Sequence, residues 1–153
     1  MKIRILLIDD SPETLETLSL LYASHPAFEV VGAIQTASEA VDFLKNRVVD
    51  LVSIDIQLDC DSGFQLCTYV HDRYPDVFIT MCSVEADAHN RTLAYQKGAH
   101  HFLAKPLTGR DIDDLVVQYA EFKYRCFDRD IQKKHDEAWI DQIIATVSDK
   151  PDR

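Results

Sequence analysis

The stretch Asp50-Leu51-Val52-Ser53-Ile54-Asp55-Ile56 decides the fold. A short continuous apolar run rich in Val and Ile reads as a strand buried on both faces. It delivers a carboxylate, Asp55, at its far end, where the strand meets water. Three other strand-like runs also end in reactive groups. Residues 2–8 lead into Asp9-Asp10, residues 77–82 into Ser83, and residues 101–104 into Lys105-Pro106. With residues 28–34 as a further strand, helical stretches alternate with strands along residues 1–122. Such alternation predicts right-handed crossovers and one parallel sheet in a three-layer α/β domain. In an open parallel sheet the ligand crevice lies outside the carboxyl ends of the strands. The four reactive ends therefore converge on one place.

The helices follow from local chemistry. Ser11-Pro12-Glu13 combines a cap, an early proline and an early acid, and opens a helix running to about His25-Pro26. Ser38 is expected to cap a second helix, with Ala40, Val41 and Leu44 as its buried stripe. Residues 57–63 read as a polar loop, followed by a third helix through Phe64, Leu66, Cys67 and Val70. A weakly apolar helix is expected over roughly 86–97, closed by Gly98. Thr108 and Asp111 resemble a capping box for a final helix carrying Ile112, Leu115, Val116, Tyr119 and Phe122. Beyond it, residues 123–153 form a C-terminal helical extension. Its charged part, 123–134, is expected to extend the last helix, and Trp139, Ile140, Ile143, Ile144 and Val147 then mark a helix with an apolar face ending before Asp149-Lys150-Pro151. That face packs back on the domain, pairs two protomers, docks a partner or begins a linker.

The chain of 153 residues carries a net charge of −10. Residues 123–153 hold 7 Lys/Arg and 7 Asp/Glu, so the whole excess falls on residues 1–122. No basic patch suits a phosphate backbone, so nucleic-acid binding by this chain is not expected. No stretch has the length of a membrane span, and no signal peptide is read at the N-terminus, which points to the cytoplasm. Cys60, Cys67, Cys82 and Cys126 lack C-x-x-C pairing and read as free thiols of a reducing compartment.

Neighbouring carboxylates such as Asp9, Asp10 and Asp55 repel each other unless a cation sits among them, and Mg²⁺ suits such a set. A carboxylate can also act as a nucleophile and form an aspartyl-phosphate. Lys105 would then supply a point charge to the phosphoryl oxygens and Ser83 a hydrogen bond. Taken singly, each group has a plainer reading: a helix-start acid pair, a turn residue, a cap, a surface charge. Only the combination at four strand ends points to chemistry. Cys67 and His71, one helical turn apart, lack a second pair of metal ligands.

The residues Asp9-Asp10, Asp55, Gly63, Leu66, Ser83, Phe102 and Lys105-Pro106 stand in the order of a response-regulator receiver domain of two-component signalling, with 28 residues from Asp55 to Ser83 and 22 from Ser83 to Lys105. The chain resembles that family over about residues 1–122. The resemblance implies a flavodoxin-like (βα)5 fold with strand order 2-1-3-4-5. It implies phosphoryl transfer onto Asp55 from a sensor histidine kinase or a histidine phosphotransfer protein. It further implies Mg²⁺, with Mn²⁺ as a substitute, held directly by Asp10, Asp55 and the backbone carbonyl of Gln57, and through water by Asp9. Lys105 pairs with the phosphoryl group, and the Lys105-Pro106 bond is cis. Ser83 and Phe102 act as the switch. Gln57 and Glu85 occupy positions that tune autodephosphorylation. The signal leaves through the face formed by helix 4, strand 5 and helix 5 toward a protein partner or effector domain. No enzymatic activity beyond self-catalysed phosphotransfer is implied.

Three residues depart from the family pattern. Asp59 stands where proline is usual, Val84 replaces a small residue beside the switch hydroxyl, and Phe102 lacks a tyrosine hydroxyl. Asp59 and Val84 support the competing expectation of a constitutive interaction module that rarely carries phosphate. An Asp-nucleophile phosphohydrolase is a third class, disfavoured because no separate general acid or capping domain is visible.

Overall fold

A computed structural model describes residues 1–148. Its contacts divide the chain into two compact units, Met1–Tyr119 and a second opening at Ala120. In chain order the elements are β1 (Ile3–Ile8), α1 (Pro12–Ala23), β2 (Phe28–Ile34), α2 (Ala37–Asn46), β3 (Leu51–Ile54), β4 (Gln57–Leu58), β5 (Asp61–Ser62), α3 (Gly63–Arg73), β6 (Phe78–Ser83), α4 (Ala88–Gln96), β7 (His101–Ala104) and α5 (Gly109–Ser148).

β1, β2, β3, β6 and β7 form one sheet in the order 2-1-3-6-7, and every pairing in it is parallel. With the short β4 and β5 set aside, this is the expected flavodoxin-like order 2-1-3-4-5. Alternate residues of a strand point to opposite faces. Leu6, Ile8, Val52, Ile54, Ile79 and Met81 join one apolar cluster with Ala40, Leu44, Leu66, Cys67, Val70 and Ala94 from α2, α3 and α4. Their neighbours Ile5, Leu7, Leu51 and Phe78 point the other way and are equally buried. Burial on both faces explains why the central strands read as unbroken apolar runs.

The helix starts obey the expected chemistry, with one correction. Ser11 caps α1, its Oγ accepting the Thr14 N–H at 3.2 Å. Thr36, not Ser38, caps α2: its Oγ1 accepts the Glu39 N–H at 3.1 Å, and Ser38 lies inside the first turn. Threonine here precedes the first helical residue in extended backbone, the geometry a cap requires. Thr108 and Asp111 form the expected reciprocal box, with Asp111 Oδ2 accepting the Thr108 N–H and Thr108 Oγ1 accepting the Asp111 N–H. Gly98 ends α4 at φ +109°, where a side chain would also strike the His71 ring.

Two elements differ from expectation. The polar loop contains an antiparallel hairpin, Gln57 opposite Ser62 and Leu58 opposite Asp61, turning at Asp59-Cys60. The C-terminal extension is no separate helix, because α5 runs unbroken for 40 residues to Ser148. The expected stop at Asp149-Lys150-Pro151, and the side chain of Val147, lie outside the described residues.

Candidate functional site

The sheet ladder holds the site's backbone one residue beyond the strands. The Asp9 N–H donates to the Ile34 carbonyl at 3.1 Å, Asp55 to Ile8 at 3.0 Å and Lys105 to Ser83 at 3.0 Å. Three of the four predicted groups are thus fixed by hydrogen bonds that continue β1, β3 and β7. The fourth, Ser83, is the last residue of β6 and is buried.

Lys105 ties the carboxylates together. Its Nζ donates to Asp9 Oδ2 and, at 3.0 Å, to Asp55 Oδ2. Asp9 is 2 % exposed and also accepts the Ser11 N–H through Oδ1 at 2.9 Å. Asp55 is half-buried, and its Oδ1 faces the Gln57 N–H at 3.3 Å. Asp10 is exposed, yet a carboxylate oxygen of each of Asp9, Asp10 and Asp55 lies within 4.8 Å of the others. One lysine against three carboxylates leaves the cluster anionic. A compact all-oxygen donor set that is open on the Asp10 side fits a hard divalent cation that keeps several waters.

Electrostatics of the pair follow from burial and contact. Burial pushes the Asp55 carboxyl above its ordinary pKa and the Asp9 charge adds to this, while Lys105 and the Gln57 N–H pull it back. Burial alone would lower the Lys105 ammonium, but its hydrogen bonds to Asp9 and Asp55 outweigh that and raise it. Lys105 is therefore a fixed positive charge at neutral pH. The Lys105-Pro106 peptide is cis.

Gly63 has a steric reason to be glycine. A Cβ there would lie 1.8 Å from the Asp55 carbonyl oxygen, and the Gly63 N–H donates to the Ile56 carbonyl at 2.8 Å. The start of α3 is thereby pressed against the backbone of Asp55.

The remaining predicted residues lie around this centre. Ser83 Oγ accepts the Glu85 N–H at 3.1 Å. The exposed Glu85 carboxylate is not among the groups gathered at Asp55. Gln57 is exposed and lines a cavity of about 550 Å³ with Asp10, Asp59, Cys60 and Asp61. Val84, 75 % exposed, stands at the rim of a second cavity of about 380 Å³ with Glu13, Thr14, Lys105 and Pro106. Phe102 is buried, and the Arg91 guanidinium sits 4.9 Å from its ring centroid while donating from Nε to the Ala86 carbonyl at 3.0 Å. Sequence reasoning overlooked Arg91, since nothing in a single polar residue of α4 announces an aromatic partner on β7. All four cysteines are free, and burial pushes the Cys67 and Cys82 thiols up to about 12. Among the described residues no helix is long and apolar enough to cross a membrane.

Comparison with known proteins identifies the family of the chain. The response regulator receiver domain family matches residues 5–117, and the chain belongs to that family. It is 25% identical over 119 residues to the transcriptional regulatory protein CitT of Bacillus subtilis, spanning 78% of this chain and 53% of that one. It is 30% identical over 109 residues to protein-glutamate methylesterase/protein-glutamine glutaminase 5 of Anaeromyxobacter dehalogenans, spanning 70% of this chain and 30% of that one. The chain thus spans about half or less of the length of these curated relatives. A CheY-like response regulator receiver domain protein from Methanospirillum hungatei superimposes with a TM-score of 0.73 at 25% identity, covering 82% of this chain and 99% of that one. The chain carries a receiver domain of two-component response regulators. CitT and the methylesterase differ in what their names say they do, so neither name describes the output of this chain.

Proposed function

We propose that Asp55 accepts a phosphoryl group from the phosphohistidine of a sensor kinase or a histidine phosphotransfer protein, and that residues 1–122 form the unit that does so. One observation carries this reading: Lys105 Nζ is hydrogen-bonded to both Asp9 and Asp55 at the strand ends, with Asp10 beside them. In the transfer an Asp55 carboxylate oxygen bonds to phosphorus, the phosphorus–nitrogen bond breaks, and the histidine ring leaves with that electron pair. Lys105 has to turn from Asp55 Oδ2 toward a phosphoryl oxygen, and its raised pKa keeps it cationic while it does so. Asp10, Asp55 and the Gln57 carbonyl would hold Mg²⁺ or Mn²⁺, with Asp9 acting through water, and the cation would neutralise phosphoryl charge. The cavity between α1 and Lys105-Pro106-Leu107 opens beside the reacting atoms and gives the donor a place to dock.

The Ser83 hydroxyl, which accepts the Glu85 N–H, then releases it and donates its own proton in a hydrogen bond to a phosphoryl oxygen. The 83–87 segment moves with it, and the Arg91–Phe102 contact adjusts behind. The face of α4, β7 and α5 carries the change to a downstream partner or effector domain, in the cytoplasm. Residues 123–153 connect this face to that partner or domain. Gln57 and Glu85 set the lifetime of the phosphoryl group.

The test is intact mass after incubation with acetyl phosphate and Mg²⁺, with Asp55→Asn in parallel. A gain of one phosphoryl group in the natural chain alone supports the reading. No gain with the metal present points to the constitutive module, and Asp59 and Val84 become the positions to revert.

A further inference from the structure

From Ala120 onward α5 carries an exposed apolar stripe. Tyr124, Phe127 and Ile131 are 71%, 63% and 50% exposed, and Ala120 is exposed too. The steps from Ala120 to Tyr124, Phe127 and Ile131 are 4, 3 and 4 residues. That is the a/d repeat of a two-stranded coiled coil, with Tyr124 and Ile131 at a and Ala120 and Phe127 at d.

We propose that this stripe pairs, parallel and in register, with the same stripe of a second copy of the chain. The charges beside it select the occupant and its direction. In a parallel pair each g residue faces the e residue five positions further along the partner helix. Lys123 then faces Asp128, and Asp130 faces His135, each twice by symmetry. In an antiparallel pair the e row faces itself, which sets Asp128 against Glu121 or against its own copy. Parallel self-pairing is the arrangement free of that repulsion. Lys134 at the next d position ends the seam, and Trp139, Ile140 and Ile143 fall outside its phase. An interface this short predicts a reversible dimer that grows with concentration.

The proposal does not depend on phosphoryl transfer, so its test uses the full chain without a phosphodonor. Sedimentation equilibrium is expected to show a monomer–dimer equilibrium, with the same constant in Asp55→Asn. Phe127→Asp should raise the dissociation constant at least about tenfold, with an unchanged circular dichroism spectrum because the side chain is exposed. Lys123→Glu should weaken pairing by setting a second carboxylate against Asp128, and adding Asp128→Lys should restore it. A monomer at every concentration overturns the proposal, as does a dimer indifferent to Phe127→Asp. Restoration of Lys123→Glu by Asp130→Lys instead of Asp128→Lys overturns the parallel direction.

Discussion

At the scale of single residues the site is a balance of like charges. Lys105 offsets two of the carboxylates by direct contact, and Asp10 remains exposed next to them. Removing the Asp10 charge relieves repulsion, so Asp10→Asn is expected to raise the melting temperature by about 2 °C without divalent cations. The same variant should lose the rise that Mg²⁺ gives the natural chain, and calorimetry with and without the metal reads both effects. Gly63 is the stricter residue. Its Cβ position is filled by the Asp55 carbonyl oxygen, which is backbone and cannot rotate away. Gly63→Ala should cost more than about 2 kcal/mol in chemical denaturation and disturb Asp55 with it; an unchanged midpoint would contradict that contact. Asp9, Asp10, Asp55, Ser83 and Lys105 were legible because each follows an apolar run that can only be a buried strand. The reason for Gly63 was not, since it depends on a backbone approach across the crevice.

At the scale of elements, apolar period and cap chemistry located the main strands and the helices of the first unit. They failed where two signals competed or none was strong. Thr36 and Ser38 are both competent caps, and only the backbone distinguishes them. Thr36→Ala should therefore cost about 1 kcal/mol while Ser38→Ala costs little, as equilibrium unfolding of the two variants will show. The hairpin at 57–62 escaped notice because two-residue strands carry no period. The first residue of β7, His101, gives that strand a pH dependence. Burial lowers its pKa against the opposing pull of Asp114 and Asp111, with Arg91 adding to the lowering, and its Nδ1 has no hydrogen-bond partner among the described residues. The folded chain thus binds a proton there less readily than the unfolded chain. Its stabilising effect is complete above the ordinary histidine value of 6.5 and is lost as pH falls from there through the lowered value. Thermal unfolding between pH 7.5 and 5 should show a shallower loss of stability in His101→Gln than in the natural chain.

At the scale of the whole chain, the proposed chemistry and the proposed output fall on different parts of the domain. The strand ends gather the reactive groups, while Phe102 reaches Arg91 on α4 from the interior of β7. Ser83 is tied to both sides by its own atoms, its hydroxyl accepting the Glu85 N–H and its carbonyl accepting the Lys105 N–H. The extension of α5 through residues 123–134 was legible, but its continuation to Ser148 was not, because Trp139, Ile140 and Ile143 lie out of phase with Tyr124, Phe127 and Ile131 and read as a further helix. The match to only part of longer relatives leaves the output to what the receiver is joined to or meets. Self-pairing through α5 would make that output a property of two copies.

The phosphoryl group is expected on Asp55 and nowhere else. Borohydride reduces an aspartyl-phosphate to homoserine, so treatment after exposure to acetyl phosphate and Mg²⁺, followed by peptide mass spectrometry, reads the position directly. Homoserine at position 55 alone, absent when the metal is withheld, is the predicted result. Homoserine at Asp9, Asp10 or Asp59, or unmodified Asp55 in a chain that has gained a phosphoryl group, would contradict it.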